Sequence, residues 1–213
     1  MSTLNGGPGI ITDGLVLYLD AANPYSYVSG STIWNDISRG GNNGTISSGS
    51  YTNNNSGILT FNGTDGKVLF SSYNFPVNYT KVAFINTIDT STRNILSSNT
   101  PVDHAFWLIN GNISAGHNVS YFVVQTPITT NTWNHVAVSF DNSTGTMKLY
   151  LNGVLKASNT APLISTGGTY KIGEHSTNQS FNGPISSVLL YDRVLSDTEV
   201  LQNYNTQTIR FVL

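Results

Sequence analysis

The chain has 213 residues, a net charge of −2 and only 9% charged residues. This charge density provides no basic surface for nucleic acid or for an anionic membrane, so we expect neither as a partner. No apolar run reaches the roughly 18 residues that a membrane helix needs, and the first residues lack the basic start and apolar middle of a signal peptide. The sequence therefore predicts a protein made in the cytoplasm. The absence of cysteine excludes disulfides and thiol chemistry.

The N-terminal end has no hydrophobic periodicity. Residues 5–9 read Asn-Gly-Gly-Pro-Gly, a composition typical of loops, which predicts a flexible arm over residues 1–9 and one domain over residues 10–213. The alternative is an arm that docks on a neighbouring subunit of a homo-oligomer. A length near 200 residues is common for a single all-β domain. The first strand is predicted at Leu15–Leu19 and ends before Pro24, which cannot continue a central strand.

The middle of the chain alternates short apolar runs with turns. Residues 25–44 are predicted to be an excursion that is anchored by aromatic side chains and ends in a Gly/Asn-rich turn. Runs rich in β-branched and aromatic residues, each bounded by turn residues, then predict strands. These runs are Ile58–Phe61, Val68–Phe70, Val82–Ile85, Ile95–Leu96, Ala105–Ile109 and Tyr121–Val124.

One later region predicts three consecutive antiparallel strands. Residues 133–140 alternate between apolar and polar or small side chains, which is the period of a strand. The apolar face is formed by Val136, Val138 and Phe140. Residues 141–145 favour a turn with positive φ, and the second strand follows. The Asn152-Gly153 pair is preferred in a two-residue type I′ turn, so residues 154–158 are expected to return as the third strand.

The C-terminal part predicts a last strand and a short helix. The strand Phe181–Tyr191 is apolar on both faces in its second half, so another element must cover its outer side. Ser196 and Glu199 have the spacing of a capping box, which predicts a helix from Asp197 to about Asn205 on that side. The apolar end, residues 209–213, either closes the sandwich as a last strand, which we favour, or docks on a partner.

Several segments of the second half occur in an order and spacing that resemble a known family. They are Thr132–Ala137, Lys148–Gly153, Lys171–Gly173, Phe181–Ile185 and Tyr191–Ser196 with Glu199. The family comprises the laminin-G-like jelly rolls of the concanavalin A-like lectin and glucanase superfamily. The resemblance implies an all-β fold, namely a two-sheet antiparallel β-sandwich of the jelly-roll type with one short C-terminal helix.

The N-terminal half is similar to one variant of this family. Its pattern lies in Gly14–Pro24, Trp34–Ser38 and Asn42–Thr45, and it is similar to the variant found in virion proteins of tailed bacteriophages. That similarity implies a location on the virion surface, as a head decoration or a tail-associated protein. It also implies other virion proteins as partners.

Few residues support catalysis. Glycoside hydrolysis normally uses a pair of carboxylates, and glucanases of this superfamily carry theirs in a Glu-x-Asp-x-Glu run. This chain has only two glutamates, Glu174 and Glu199, and Glu199 belongs to the predicted capping box. There is also no Gly-x-Ser-x-Gly motif on a strand-to-helix turn. We therefore expect a protein that is not an enzyme, and keep hydrolysis by paired aspartates as an alternative.

Glycan binding requires an exposed aromatic ring flanked by amide groups, because the ring stacks on the apolar face of a sugar and the amides bind its hydroxyls. Side chains in the middle and late parts of the chain meet this description, and the alternative for each aromatic residue taken alone is a place in the core, because Trp and Phe dominate sandwich interiors. The predicted glycan-binding residues are Arg93, His104, Trp107, His117, His175, Asn178 and Gln179. His135 is instead expected to be a packed structural residue with a hydrogen-bonded ring.

Calcium is the metal that the residue pattern favours. The loop histidines lack the spacing of a zinc site, whereas calcium prefers oxygen ligands from loop Asp and Asn side chains. The candidate ligands at predicted strand ends are Asp20, Asn62, Asp65 and Asp192. Family members often carry acidic residues where this chain has Ser186 and Ser187, and Asx turns are the alternative role for the four residues. No other cofactor is predicted.

These features together predict a non-enzymatic virion surface protein of a bacteriophage that adheres to host-surface glycans. The prediction depends on the low charge density, the virion-type N-terminal pattern and the missing secretion signal. The alternatives are a soluble carbohydrate-binding lectin and a polysaccharide hydrolase.

Overall fold

The sheets of the fold are antiparallel, as a computed structural model shows for residues 9–52, 54, 57–70, 76–98, 104–117, 120–164, 170–174 and 179–211. The strands in this part of the chain are β1 (Leu15–Asp20), β2 (Ile33–Trp34), β3 (Gly44–Ser47), β4 (Gly49–Thr52), β5 (Ile58–Asn62), β6 (Lys67–Leu69), β7 (Tyr79–Ile85), β8 (Arg93–Asn94), β9 (Leu96–Ser98), β10 (Ala105–Ile109), β11 (Asn112–His117), β12 (Ser120–Pro127), β13 (Asn134–Asp141), β14 (Thr146–Leu151), β15 (Val154–Thr160), β16 (Tyr170–Ile172) and β17 (Asn182–Tyr191). Helix α1 (Asp197–Thr208) follows β17, and a 3-10 turn at Ile209–Phe211 continues it. The predicted all-β fold with one short C-terminal helix is confirmed.

The first layer is an eight-stranded sheet. Its order is β15-β14-β13-β7-β17-β5-β4, and β1 pairs with β17. The predicted apolar face of β13 lies in the core, whereas Ala137 points to the opposite side of the sheet. The turn between β14 and β15 has φ values of 52° at Asn152 and 76° at Gly153. These positive values are those of the predicted type I′ turn.

The second layer consists of two smaller sheets that adjoin. The four-stranded sheet has the order β12-β11-β10-β8, and the five-stranded sheet has the order β2-β3-β6-β16-β9. They adjoin because only Ile95 separates β8 from β9 along the chain. Their inner side chains, among them Phe106, Ile113 and Ile172, are buried in one hydrophobic core with those of the first layer. The molecule is therefore a two-layer β-sandwich.

Helix α1 covers the outer face of the eight-stranded sheet, as predicted. The Glu199 amide donates to Ser196 Oγ at 3.3 Å, and the Ser196 amide donates to the Glu199 carboxylate at 2.8 Å, which completes the capping box. Leu195 and Val200 join a second hydrophobic cluster on this outer face. The helix extends to Thr208, about one turn beyond the predicted end. Within the described residues, no helix is long and apolar enough to cross a membrane.

The segment before β1 is bound to α1. Gln202 Nε2 donates to the Gly9 carbonyl at 2.8 Å, and the Ile11 amide donates to Asn203 Oδ1 at 2.9 Å. The last residue of the predicted arm, Gly9, is thus held against the helix. Residues 1–8 lie outside the described part of the chain.

The described end of the chain, Ile209–Phe211, is not a strand. Ile209–Phe211 form a 3-10 turn, so the predicted closing strand is wrong over its described residues. The ring of Phe211 stacks on Phe84, with centroids 4.5 Å apart and an interplanar angle of 13°, and lies 4.2 Å from the ring of Trp133. Burying Phe211 against these two rings removes apolar area from water without any strand pairing. The 3-10 turn therefore packs Phe211 against the sheet, whereas Ile209 is exposed.

His135 is packed on the outer face of β13, as predicted. Its ring lies 6.0 Å from that of Phe84 and 5.7 Å from that of Tyr204, and burial lowers its pKa to about 3. The predicted hydrogen bond to the ring is wrong, because both ring nitrogens are buried without a hydrogen-bond partner among the described residues. The ring is held by aromatic contacts instead.

Candidate functional site

The outer face of the four-stranded sheet carries polar side chains around one tryptophan. Trp107 lies opposite Asn94 of β8 and Ser114 of β11, and Ser114 lies opposite Gln125 of β12. Directly opposed residues point to the same face of a sheet, and the alternate residues, such as Phe106, lie in the core. The outer set, called the Trp107 face below, consists of Asn94, Trp107, Ile109, Asn112, Ser114 and Gln125.

An open depression of about 380 Å³ lies at one end of the Trp107 face. It is lined by Ile109, Asn110, Asn112 and Gln125, and its volume is typical of small-molecule sites. Asn110 is held at the rim by a tight turn, since φ is 48° at Asn110 and 74° at Gly111, as in a type I′ turn. Ile109 follows Trp107 by two residues on the same strand, so the half-buried ring lies roughly 7 Å from the depression.

Two amides in this region are held by hydrogen bonds. Gln125 Nε2 donates to Ser114 Oγ at 2.8 Å, and Asn112 Nδ2 donates to the Asn110 carbonyl at 3.1 Å. Each bond uses one of the two N–H groups of a side-chain amide, which also carries an acceptor oxygen. The amides are thus oriented and still offer donors and acceptors. Next to an aromatic ring, this arrangement can bind a ring-shaped ligand with one apolar face and several hydroxyls.

Two of the predicted glycan-binding residues meet at this face. Trp107 belongs to it, and the Gln179 carbonyl accepts a hydrogen bond from the Asn94 amide at 2.9 Å. Gln179 therefore borders the face next to the strand that carries Asn94. His175 and Asn178 lie outside the described residues.

Arg93 is a structural cross-link. Its guanidinium binds the Asp89 carboxylate at 2.7 Å, and it donates to the carbonyls of Gly63 at 2.8 Å and Ser180 at 3.1 Å. The bond from Arg93 lowers the pKa of Asp89. Three chain segments are joined in this way, so Arg93 has a structural role, and its role in glycan binding stays a prediction.

His104 and His117 are buried in the core, which corrects their predicted place at a glycan site. Both have an exposed fraction of 0%, and their ring centroids lie 5.2 Å apart. His117 ends β11, a strand that the sequence did not predict, and has the same parity as Ala115, which faces the core. His104 directly precedes β10 and also points inward. Neither ring can contact a ligand on the outer face.

The two histidines form a buried polar cluster with Tyr79 and Lys81. Tyr79 Oη lies 2.6 Å from His117 Nε2, and His117 Nδ1 lies 3.1 Å from the Pro162 carbonyl. Because a carbonyl only accepts, Nδ1 carries the proton and Tyr79 donates to Nε2. Burial, and next the amino group of Lys81, lowers the pKa of His104 to about 2 and that of His117 to about 4. Lys81 Nζ donates to the His104 carbonyl at 2.7 Å, so the cluster joins the two layers.

The four predicted calcium ligands do not form one site. Asn62 and Asp65 lie together in the turn after β5, which pairs with the start of β17, whereas Asp192 follows the end of that ten-residue strand, roughly 30 Å away. The Asp20 carboxylate binds Arg210 at 2.8 Å. The alternative of an Asx turn holds for Asn62, whose Oδ1 accepts from three backbone amides. No three His, Asp or Glu side chains in the described ranges converge as metal ligands.

Two other depressions differ from the Trp107 face in chemistry. The first, about 670 Å³, lies at the start of β1 and is lined in part by Asp13, Arg39 and Asp192, with no aromatic side chain among its described lining residues. A third, about 330 Å³, lies beside Tyr27 and Tyr51, whose rings are 5.0 Å apart. Tyr27 is buried there. By volume alone, the first depression would be the better candidate for a ligand site. The Trp107 face is the better candidate by chemistry, because it combines an aromatic ring with oriented amides.

The sequence matches one protein family. Its model, of the laminin G type and described as the concanavalin A-like lectin/glucanases superfamily, matches residues 62–201. The matched range is more than half of the chain and includes every strand that forms the Trp107 face. A search of curated protein sequences gives no match.

Three solved structures illustrate the similarity in fold. A mutant of Trypanosoma rangeli sialidase displaying trans-sialidase activity has a TM-score of 0.72 and 16% identity, covering 94% of this chain and 34% of its own. The binding domain of Paraclostridial Mosquitocidal Protein 1 has a TM-score of 0.72 and 15% identity, covering 91% and 52%. Domain 4 of an extracellular arabinanase from Geobacillus stearothermophilus, in complex with arabinotriose, has a TM-score of 0.70 and 18% identity, covering 91% and 100%. At these identities the similarity shows the fold alone, and this chain spans about a third of the sialidase's length.

Proposed function

The chain belongs to the concanavalin A-like lectin/glucanase superfamily, and on that premise we propose that it is a non-catalytic saccharide-binding module whose ligand lies on the Trp107 face. The observation that carries the proposal is the position of Trp107 beside Ser114, Gln125 and an open depression. Two similar structures support it by their descriptions, since one is a binding domain and the other is in complex with arabinotriose.

A glycan array probed with the purified chain tests binding, and NMR then tests the position of the ligand. A saccharide bound on the array is expected to shift the backbone amide signals of Asn110, Asn112 and Gln125 most, because these residues line the depression. The signals of Tyr27 and Tyr51 are expected to stay unchanged. Shifts confined to the two tyrosines would contradict the position, and an array without any bound glycan would overturn the proposal.

The positions of the carboxylates support a function without catalysis. Glu174 lies 2.5 Å from Lys67, and Glu199 lies 2.6 Å from Arg193, so both glutamates are held in ion pairs. No described residue of the Trp107 face carries a carboxylate, whereas glycoside hydrolysis normally uses two. A hydrolase is the second candidate, favoured by the sialidase and arabinanase named among similar structures. New reducing ends in oligosaccharides incubated with the chain would favour it over binding alone.

We further propose that the module is displayed on the virion surface of a tailed bacteriophage, is made in the host cytoplasm and contacts other virion proteins. The N-terminal sequence pattern supports this location. Its segments include β1, the end of β2 and the start of β3, and Asp36 Oδ1 accepts hydrogen bonds from the amides of Tyr18 and Ser38, both at 2.8 Å. Mass spectrometry of purified virions is expected to detect the chain. Its absence would overturn the location, leaving a soluble lectin.

A further inference from the structure

The four strands that form the Trp107 face carry a single charged residue. Strands β8, β10, β11 and β12 contain Arg93 and otherwise only uncharged or histidine side chains. Arg93 lies opposite Leu108, whose side chain belongs to the core. Its guanidinium is bound to Asp89 and to two backbone carbonyls. The only cation of these strands is therefore already paired and does not belong to the outer face.

The other cations lie on other parts of the molecule. The described ranges include all nine Lys and Arg residues of the sequence, and none belongs to the Trp107 face. Lys171 on β16 lies opposite Ser97, whose hydroxyl donates to Asn94 Oδ1. The backbones of Lys171 and Ser97, like those of Asn94 and Trp107, are one strand spacing of about 5 Å apart, so Lys171 and Trp107 are not direct cross-strand neighbours. A carboxylate bound over Trp107 would have no cationic partner in direct contact.

The exposed polar groups suit hydroxyls better than carboxylates. A saccharide hydroxyl both donates and accepts, as does a side-chain amide, so Asn112 and Gln125 can satisfy it in either direction. A carboxylate only accepts, and its removal from water is strongly unfavourable unless a cation and hydrogen bonds replace the lost hydration. Arg is the side chain that proteins favour for such recognition, and the one in these strands is occupied.

We infer that the ligand of the Trp107 face is a neutral oligosaccharide, without a carboxylate on the ring that contacts Trp107. This inference rests on the proposed saccharide binding and adds the chemical class of the ligand. Trp107 takes the apolar face of one sugar ring, and the amides that line the depression bind the hydroxyls of the next. Charge plays no part in the contact, so binding is insensitive to salt.

Paired probes test the class of ligand. Neutral oligosaccharides and the same oligosaccharides carrying a sialic or uronic acid are titrated into the full chain by calorimetry, at low and at high NaCl concentration. We expect the neutral member of a pair to bind at least about tenfold more tightly, a difference that corresponds to one poorly paired polar group. We also expect its affinity to stay constant with salt.

Two variants make the test specific. Lys171→Gln is expected to leave the affinity for neutral saccharides unchanged, whereas Gln125→Lys places a cation on the face and is expected to raise the relative affinity for the acidic member of each pair. Tighter binding of acidic saccharides by the wild-type chain, weakened by salt or by Lys171→Gln, would overturn the neutral ligand while keeping saccharide binding. Failure to bind any member of the panel would instead overturn the proposed function.

Discussion

Replacement of Trp107 by alanine is expected to weaken saccharide binding by roughly 10- to 100-fold, as measured by calorimetry with the saccharide that the array identifies. The reason is that the indole is the largest apolar surface of the Trp107 face. Truncation of such an aromatic anchor costs about 2 kcal/mol or more at binding sites, and every 1.4 kcal/mol is a factor of about ten in affinity. Gln125→Ala is expected to have a smaller effect, because it removes hydrogen-bonding groups and leaves the ring in place.

Controls separate lost binding from lost folding. Trp107 is half-buried, so Trp107→Ala also removes packing, whereas Trp107→Phe keeps an aromatic ring and is expected to retain most of the affinity. Tyr51→Ala removes a half-buried aromatic ring beside a different depression and is expected to leave binding unchanged. If Tyr51→Ala abolishes binding and a folded Trp107→Ala variant does not, the ligand lies in the depression beside Tyr51.

The neighbours of Trp107 could not be predicted from sequence because they belong to a strand with a weak pattern. Residues 112–117 alternate, with Asn112 and Ser114 outside and Ile113 and Ala115 inside. Of the three inward residues, Ile113, Ala115 and His117, only Ile113 is large and apolar, so the period of two is hard to recognise. Without that strand, the partners of Trp107 and the turn at Asn110 stay unidentified.

The burial of His104 and His117 could not be predicted from sequence either. A histidine beside Gly116 reads as a loop residue, yet at the end of β11 the direction of its side chain is fixed by the strand. The features predicted correctly depend on local sequence: alternation in β13, the Asn152-Gly153 turn and the capping box at Ser196. The pairing of strands depends on residues that are far apart in the sequence. The contact between Tyr79 and His117 is therefore seen only in the folded chain.

Acidification is expected to unfold the protein between about pH 6.5 and pH 4.5, before its carboxylates are protonated. Three histidines cause this. In the folded chain, burial is the largest cause that lowers the pKa of His117 to about 4, that of His135 to about 3 and that of His104 to about 2. In the unfolded chain, each titrates near pH 6.5.

The direction in which stability changes with pH follows from proton binding. Between the two pKa values of each histidine, the unfolded chain binds a proton that the folded chain does not, so the free energy of unfolding falls as the pH falls. The stability is fully present above about pH 6.5 and decreases by about 1.4 kcal/mol per pH unit for each histidine. At about pH 4.5 the loss approaches 8 kcal/mol for the three, which is comparable with the whole stability of a typical domain.

Carboxylates act in a lower range of pH. Glu199 has its pKa lowered to about 2, first by its bond to Arg193, so its contribution is present above about pH 4.3 and is lost only as the pH falls towards 2. Urea unfolding followed by circular dichroism from about pH 7.5 to pH 4.5 therefore reports the histidines. A free energy of unfolding that stays constant over this range would contradict neutral, buried rings.

The variant His135→Phe isolates one of the three histidines. The His135 ring lies among aromatic rings, and its nitrogens are buried without a hydrogen-bond partner in the described residues, so phenylalanine keeps the packing and removes the proton site. We expect the slope of stability against pH to fall by about one proton between pH 6.5 and pH 4.5, and the midpoint of acid unfolding to move to lower pH. His117→Phe would remove a proton site too, but it also removes the hydrogen bond of 2.6 Å between Tyr79 Oη and His117 Nε2. It is therefore expected to lower stability at neutral pH, which distinguishes a histidine held by aromatic packing from one held by a hydrogen bond.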